Sequence, residues 1–108
     1  MDAETRELYE LKADILKALA HPLRLAVVDF LADGERCVCD IADHVGSERS
    51  NVSRHLSVML SAGVLECRKD GLKVLYRLKT SCVANCLACA ADVLREHVRS
   101  REAALRLL

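Results

Sequence analysis

The chain has 108 residues, with 16 Lys+Arg balanced by 16 Asp+Glu, and 52% of its residues are hydrophobic. That length suffices for one small domain with its own core. No apolar run is long enough to span a membrane, and the acidic N-terminus lacks the basic start and apolar middle of a secretory signal. We therefore expect a single domain over 1–108 in the cytoplasm, with no membrane partner.

The charge is unevenly distributed, although the net charge is zero. Residues 1–46 carry a net charge of −5, whereas residues 47–79 carry +4. A polyanion responds to the local field rather than to the total charge, so the middle third is the candidate surface for nucleic acid. An ordinary solvated face is the alternative interpretation.

The first half of the chain predicts three helices. Helical spacing of apolar residues indicates a first helix over 4–20, which ends before Pro22 because the residue preceding a proline avoids the α region. Pro22 is well placed to begin a second helix, which ends near Gly34. An extended piece, Arg36-Cys37-Val38-Cys39, then leads into a short helix that Gly46 closes.

The second half predicts a helix, a β-hairpin and a long final helix. Ser47 is the expected N-cap of a helix that ends at Gly63. The residues expected to be buried on that helix are Val52, Leu56, Met59 and Leu60. The hydrophobic period then changes to 2, with a hairpin turn at Asp70-Gly71, and residues 82–105 form one helix. The order predicts a mainly α protein with a β-hairpin wing, that is, a winged helix-turn-helix with added terminal helices.

The helix-turn-helix and the hairpin together form a candidate DNA-binding unit over 38–79. The second helix of such a unit enters the major groove, and here its outward positions are small polar or basic. Asn can bind adenine, Arg can bind guanine or phosphate, and a basic wing suits the DNA backbone. The predicted contacts with double-stranded DNA are Ser47, Ser50, Asn51, Ser53, Arg54 and His55 on the helix and Arg68, Lys69 and Lys73 on the wing. A winged helix used only for protein contacts is the alternative.

The last helix carries an apolar stripe that no later element can cover. Its members are Val83, Leu87, Ala90, Leu94 and Val98. We expect the helices at 4–20 and 82–105 to form a homodimer interface, which would present two recognition helices to a two-fold DNA site. Packing within one chain is the alternative.

The cysteines form two groups. In a cytosolic protein they are not expected to be disulfides. Cys37 and Cys39 flank one residue before the short helix, and in an extended chain their side chains would face the same way, roughly 6–7 Å apart. Cys67 stands alone on a strand and is expected to be a small buried hydrophobe.

The second group is Cys82, Cys86 and Cys89, which share one face of the last helix at i, i+4 and i+7. Two cysteines one turn apart can share a soft ion, but the first and third are about 10 Å apart along the axis. We therefore predict a mixed site, in which one or two of these thiolates join the first group, from the same chain or across the dimer. Thiolates select soft ions such as As(III), Sb(III), Cd(II), Pb(II), Cu(I) or Zn(II).

Enzymatic activity is not expected, and neither is an organic cofactor. No Ser/His/Asp or paired-carboxylate arrangement stands out. Cys-x₃-Cys-x₂-Cys is also the spacing of an iron–sulfur loop in radical enzymes, but here it lies on a helix of a chain too short for their barrel. The Cys-x-x-Cys motif of thioredoxin-type oxidoreductases is missing from the segment before the short helix.

Over nearly its whole length the chain resembles the ArsR/SmtB family of bacterial metal- and metalloid-responsive repressors. The matching segments are Ala20-His21-Pro22-Leu23-Arg24-Leu25, Cys37-Val38-Cys39-Asp40-Ile41, Asn51-Val52-Ser53-Arg54-His55-Leu56 and Gly63-Val64-Leu65. The resemblance implies a homodimeric winged-helix repressor that leaves its operator when an inducer binds. It also implies Cys37 and Cys39 as ligands, as in arsenic/antimony-sensing and cadmium/lead-sensing members.

The chain departs from these patterns in its remaining ligands. Where arsenic sensors of the best-known type place a third cysteine it has Ala42, and residues 1–36 contain no cysteine of the kind that one cadmium/lead type uses. Asp92 and His97 only partly match the zinc-sensing pattern. The function predicted is therefore repression relieved by As(III) or Sb(III), with further ligands from the last helix. A Cd(II)/Pb(II)-responsive repressor and a thiol-redox or persulfide-switched repressor are the alternatives.

Overall fold

The computed structural model describes all 108 residues, as five α-helices and three β-strands. In chain order these are α1 (Ala3–Leu19), α2 (Pro22–Leu31), β1 (Arg36–Cys37), α3 (Val38–Val45), α4 (Arg49–Ser61), β2 (Leu65–Asp70), β3 (Lys73–Leu78) and α5 (Cys82–Leu105). The strands form one antiparallel sheet in the order β1-β3-β2. This order of elements confirms the predicted winged helix-turn-helix.

Side-chain caps define the starts of the first two helices. Asp2 Oδ1 accepts a hydrogen bond from the backbone N–H of Thr5 at 2.7 Å, so α1 begins one residue earlier than predicted. It also ends one residue earlier, at Leu19. His21 Nδ1 accepts from the backbone N–H of Leu23 at 3.1 Å. Pro22 follows as the first residue of α2, where a backbone N–H would have no partner within the helix, so its absence in proline costs no hydrogen bond. These caps fix a tight corner between the two helices.

The segment that carries the first two cysteines is less extended than predicted. Only Arg36–Cys37 is a strand, and it pairs with β3. The helix α3 begins at Val38, because Cys37 has the extended backbone of an N-cap residue and Asp40 complements the helix dipole in the first turn. Cys39 therefore lies on a helix, and the expectation that the two cysteines face the same way along an extended segment is wrong.

The turn of the helix-turn-helix begins at Gly46, whose left-handed backbone (φ 67°) ends α3. The prediction that Ser47 caps α4 is wrong by one residue, since the N-cap is Glu48 and its side chain makes no cap bond. Ser47 Oγ instead accepts a hydrogen bond from Asn51 Nδ2 at 2.8 Å. Ser47, the expected N-cap of α4, thus binds the side chain of Asn51, one turn later.

The hairpin turn is also shifted by one residue. The strand register pairs Asp70 with Lys73, so the two-residue loop is Gly71-Leu72 rather than Asp70-Gly71. Gly71 has a φ of 63°, whereas Leu72 has no positive φ. Glycine at the first loop position is the pattern of a type II′ turn, which matches the twist of the strands.

The core lies where α2, α3 and α4 meet the start of the hairpin and of α5. Its fully buried side chains are Val27, Val28, Ile41, Val52, Leu56 and Met59. Two expectations of burial are wrong. Leu60 is only half-buried, and Cys67 is exposed because β2 packs on the core through Leu65 and then projects outward as the wing. None of the five helices combines the length and apolarity that crossing a bilayer requires.

Candidate DNA-binding surface and cysteine groups

The exposed face of α4 is small, polar and basic. Ser50, Ser53 and Arg54 are exposed at positions i, i+3 and i+4, which share one side of a helix. Val52 and Leu56 on the opposite side are fully buried. The structure therefore brings together three of the predicted contacts on a surface that no other part of the chain covers.

Two further predicted contacts lie at the start of the same helix. Ser47 and Asn51 are both half-buried and are joined by their side-chain hydrogen bond of 2.8 Å. An amide carries two N–H donors and one oxygen acceptor, so this bond leaves one donor and the acceptor of Asn51 available to a base edge. The pairing also orients the amide before any DNA arrives.

His55 does not belong to the exposed face. Its ring is half-buried against the corner between α1 and α2, where Nδ1 accepts a hydrogen bond from Arg24 Nε at 3.1 Å. The ring of His21 lies 4.4 Å away, centroid to centroid. Burial, followed by the neighbouring basic groups of His21, Arg24 and Arg54, holds the pKa of His55 below its usual value. His55 is thus less accessible to DNA than Ser50, Ser53 and Arg54, and its Nδ1 is already engaged within the chain.

The wing presents two unequal sets of basic side chains. Lys69 and Lys73 are exposed on the two strands beside the tip. Arg68 is held in a two-point ion pair, in which Nε and Nη2 donate to the carboxylate of Glu35 at 2.8 and 3.0 Å. That pairing lowers the pKa of Glu35 and raises the pKa of Arg68. Of the predicted wing contacts, Arg68 is thus partly neutralised within the chain.

The first cysteine group lies at the junction of the sheet and the helix-turn-helix. Cys37 is only 4% exposed, as the last residue of β1 and the N-cap of α3. Cys39 is half-buried in the first turn of α3. Neither thiol is in a disulfide, and cysteine sulfur is a soft ligand.

The second cysteine group lies along one side of α5, next to α1. Cys82, Cys86 and Cys89 are all exposed, and Cys82 Sγ is 3.2 Å from Thr80 Oγ1. Cys86 lines an apolar cavity of about 190 Å³ between α1, α2 and α5. Cys82 and Cys86 also line a second hollow beside Leu16 of α1.

The two cysteine groups do not meet within one chain. No three His, Cys, Asp or Glu side chains come together in an arrangement that could hold a metal ion. The thiols are the right donors for a soft ion, but a site with three or more ligands requires a further thiolate to approach the first group. A single chain in this conformation offers at most pairs.

The terminal helices leave apolar side chains uncovered. On α5, Leu94 is 66% and Val98 53% exposed, whereas Val83 at the other end of the stripe is buried. On α1, Leu11 is 56% and Leu16 58% exposed. Contiguous apolar surface of this kind is typical of an interface rather than of a monomer surface.

Sequence patterns missed two functional side chains. Arg24, which binds His55, and Glu35, which binds Arg68, are each more than thirty positions from their partner along the chain. Periodicity reports only local structure, so no pattern could have paired them. The only signal in the sequence that Arg24 has a role was its place in a segment that resembles the repressor family.

Comparison with known proteins identifies the family. Residues 21–66 match the arsR family of bacterial regulatory proteins. An uncharacterised HTH-type transcriptional regulator of Mycobacterium tuberculosis is 38% identical over 103 residues, 94% of this chain and 90% of that protein. The arsenical resistance operon repressor of Staphylococcus xylosus is 34% identical over 70 residues, 65% of this chain and 67% of that protein.

The fold agrees with that assignment. A homodimeric winged helix-turn-helix DNA-binding domain from Mycobacterium bovis, described as a possible ArsR-family regulator, superimposes with a TM-score of 0.80 at 33% identity, covering 93% of each chain. In this fold α4 is the second helix of the helix-turn-helix, and β2 and β3 form the wing. The chain therefore belongs to the ArsR family of bacterial regulatory proteins, and it is a DNA-binding transcriptional repressor rather than an enzyme.

Proposed function

We propose that this repressor is a homodimer that releases its operator when As(III) or Sb(III) binds its cysteine thiolates. The observation that carries the proposal is the position of the Cys37/Cys39 pair at the start of α3, the first helix of the DNA-binding unit. The arsenical resistance repressor among the relatives supports the same class of inducer. Soft thiolates prefer these ions to Mg(II) or Ca(II).

The further thiolates come from α5 under this proposal. Cys82 and Cys86 border the exposed apolar side of α1, which is the surface that a second copy would cover. Because no three ligands meet within one chain, we infer that the α5 cysteines of the second copy approach the Cys37/Cys39 pair. The site would then be incomplete without the dimer.

The coupling to DNA follows from linkage. An inducer weakens DNA binding only by the difference between its affinities for the free and the DNA-bound shapes. An ion held by thiolates of both the first turn of α3 and α5 would change the position of α3, the first helix of the helix-turn-helix. The two recognition helices of the dimer would then change their relative orientation and no longer fit both half-sites.

Serine variants of the first cysteine group test the assignment. We expect Cys37→Ser and Cys39→Ser to bind operator like the wild type and to lose induction by arsenite, measured by fluorescence anisotropy. Serine at the N-cap position can accept a bond from the first turn of α3, so Cys37→Ser should still fold. Cys67→Ser, on the exposed wing strand, is the matched control and should respond normally. A Cys39→Ser variant that still responds to every soft ion would overturn the assignment.

Two other inducers fit the same residues. Cd(II) or Pb(II) would use the same thiolates, and titration of each ion against operator release separates them from As(III). A thiol-redox or persulfide switch is favoured by one observation, the exposure of four of the six cysteines. Such a switch would require an oxidant or persulfide for release, and a reductant rather than a chelator would restore DNA binding.

A further inference from the structure

Arg24 joins three helices at the inner side of the recognition helix. From α2, its Nε donates to His55 Nδ1 of α4 at 3.1 Å, and its Nη1 donates to the carbonyl oxygen of Ala18 in α1 at 3.3 Å. The ring of His21, in the corner between α1 and α2, packs on the ring of His55 at 4.4 Å with the planes tilted by 46°. The guanidinium therefore ties the end of α1 to the middle of α4.

The bond between Arg24 and His55 requires a neutral histidine. Nδ1 accepts a hydrogen bond only through its lone pair, and the imidazolium form carries a proton on both nitrogens. A protonated His55 would turn an N–H toward the N–H of Arg24 and place two cations in contact. The titratable and charged groups that face the ring are His21 from the corner, Arg24 from α2 and Arg54 from α4, all of them bases. Burial and these charges lower the pKa of His55, in agreement with this geometry.

We propose that Arg24 and His55 are positioning residues for DNA recognition, which hold α4 against the end of α1 only while His55 is neutral, so that acidification weakens operator binding. The inference rests on operator binding through α4. Neither side chain needs to touch DNA, because each acts through the orientation of α4. Their effect on the operator is therefore separate from that of Ser50, Ser53 and Arg54 on the exposed face.

The sign of the pH effect distinguishes this role from a direct contact. A histidine that faces a phosphate gains positive charge as the pH falls, and the DNA affinity then rises. Loss of the bond between Arg24 and His55 predicts the opposite, a DNA affinity that falls on acidification. His55 is the only histidine on α4, Arg49–Ser61. The direction in which DNA affinity changes with pH therefore distinguishes the two roles for this residue of the helix.

The test compares operator dissociation constants from about pH 7.5 to about pH 5.5 at constant ionic strength, across the titration range of histidine. We expect the wild-type dissociation constant to rise about 5-fold, and that of His55→Asn to change less than about 2-fold, since the asparagine oxygen offers Arg24 an acceptor that does not titrate. His44→Asn, whose ring stacks on Phe30 rather than in this cluster, is the histidine control and should keep the wild-type slope. Circular dichroism at each pH checks that every variant is folded.

An NMR titration of the His55 imidazole in the free protein tests the same bond without DNA. We expect His55 to titrate below its usual value of 6.5 and its pKa to rise in Arg24→Gln, which replaces the guanidinium by a shorter, neutral amide. Tighter operator binding on acidification, an unchanged slope in His55→Asn, or a titration unaffected by Arg24→Gln would each overturn the inference. Absence of operator binding at neutral pH would instead refute DNA recognition through α4, and the NMR titration would still decide whether the bond exists.

Discussion

Arg54 is the exposed basic side chain at the centre of the polar face of α4. Ser50 and Ser53 flank it on the same side, and no hydrogen bond or ion pair within the chain engages its guanidinium. It is free to bind a guanine edge in two-point fashion or to bind a phosphate. Arg68 on the wing differs, because Glu35 already holds its guanidinium.

Arg54→Ala should therefore weaken operator binding by about 5- to 150-fold, since one such contact contributes about 1–3 kcal/mol. Fluorescence anisotropy on operator DNA measures the loss. Arg99→Ala is the matched control, because Arg99 is an exposed arginine of α5, outside the helix-turn-helix and the wing, in an ion pair with Glu96. Equal affinities for Arg54→Ala and the wild type would dismiss Arg54 as a contact, and the stoichiometry of inducer binding should be unchanged in either variant.

At the scale of elements, the wing is anchored on one side and free on the other. The ion pair between Arg68 and Glu35 connects β2 to the loop before β1, while Lys69 and Lys73 extend into solvent. Neutralising phosphates releases counterions, so each basic contact adds about one to the slope of log affinity against log salt concentration. The contribution of the wing can therefore be measured as a salt dependence of DNA affinity, independently of sequence preference.

Removing both wing lysines should lower that slope by about 2, because each lysine accounts for about one released counterion. The variant Lys69→Ala/Lys73→Ala should keep its preference for operator over unrelated DNA, since wing contacts to the backbone carry no sequence information. Glu35→Gln should act in the opposite direction, because Arg68 then loses its carboxylate partner. A slope that neither substitution changes would exclude the wing from the DNA interface.

The elements were predictable because hydrophobic period is a local property of the chain. The change from helical to alternating spacing after Gly63 defines the hairpin, and the stripe on α5 defines its exposed side. The ends of the elements were less predictable. Cys39 belongs to α3 rather than to a strand because backbone bonds, not side-chain type, decide where the helix starts. The bond from Arg24 to His55 was beyond any local pattern, because it joins residues 31 positions apart.

At the scale of the whole molecule, the exposed apolar sides of α1 and α5 require a partner. A chain of this size seldom leaves so many large apolar side chains in solvent at adjacent helices. The related domain from M. bovis is a homodimer, which supports a second copy as that partner. Two-fold symmetry would then place two copies of α4 at a spacing set by α1 and α5.

Leu94→Glu should therefore give a folded monomer with little operator affinity. A carboxylate in the middle of the stripe would have to be buried without a partner, and its desolvation opposes association. Light scattering coupled to size exclusion measures the mass, and circular dichroism measures the helix content. Leu72→Glu, at the fully exposed tip of the wing, is the control and should remain dimeric. A dimeric Leu94→Glu would place the interface elsewhere.

The same arrangement links the dimer interface to the DNA-binding surface. The end of α1 is bonded to Arg24, and Arg24 is bonded to the recognition helix through His55. On the other side of the unit, Cys37 and Cys39 occupy the start of α3. A change at the end of α1 can therefore reach α4 through Arg24 and His55.

Fluorescence anisotropy of the reduced protein on its own promoter DNA, before and after one equivalent of arsenite per chain, measures directly whether the inducer releases the operator. We expect salt-sensitive binding that arsenite abolishes and that excess dithiol restores. Tight binding that ignores arsenite would contradict the proposed inducer and direct the search to Cd(II), Pb(II) and persulfide. No binding even at low salt would contradict operator recognition itself.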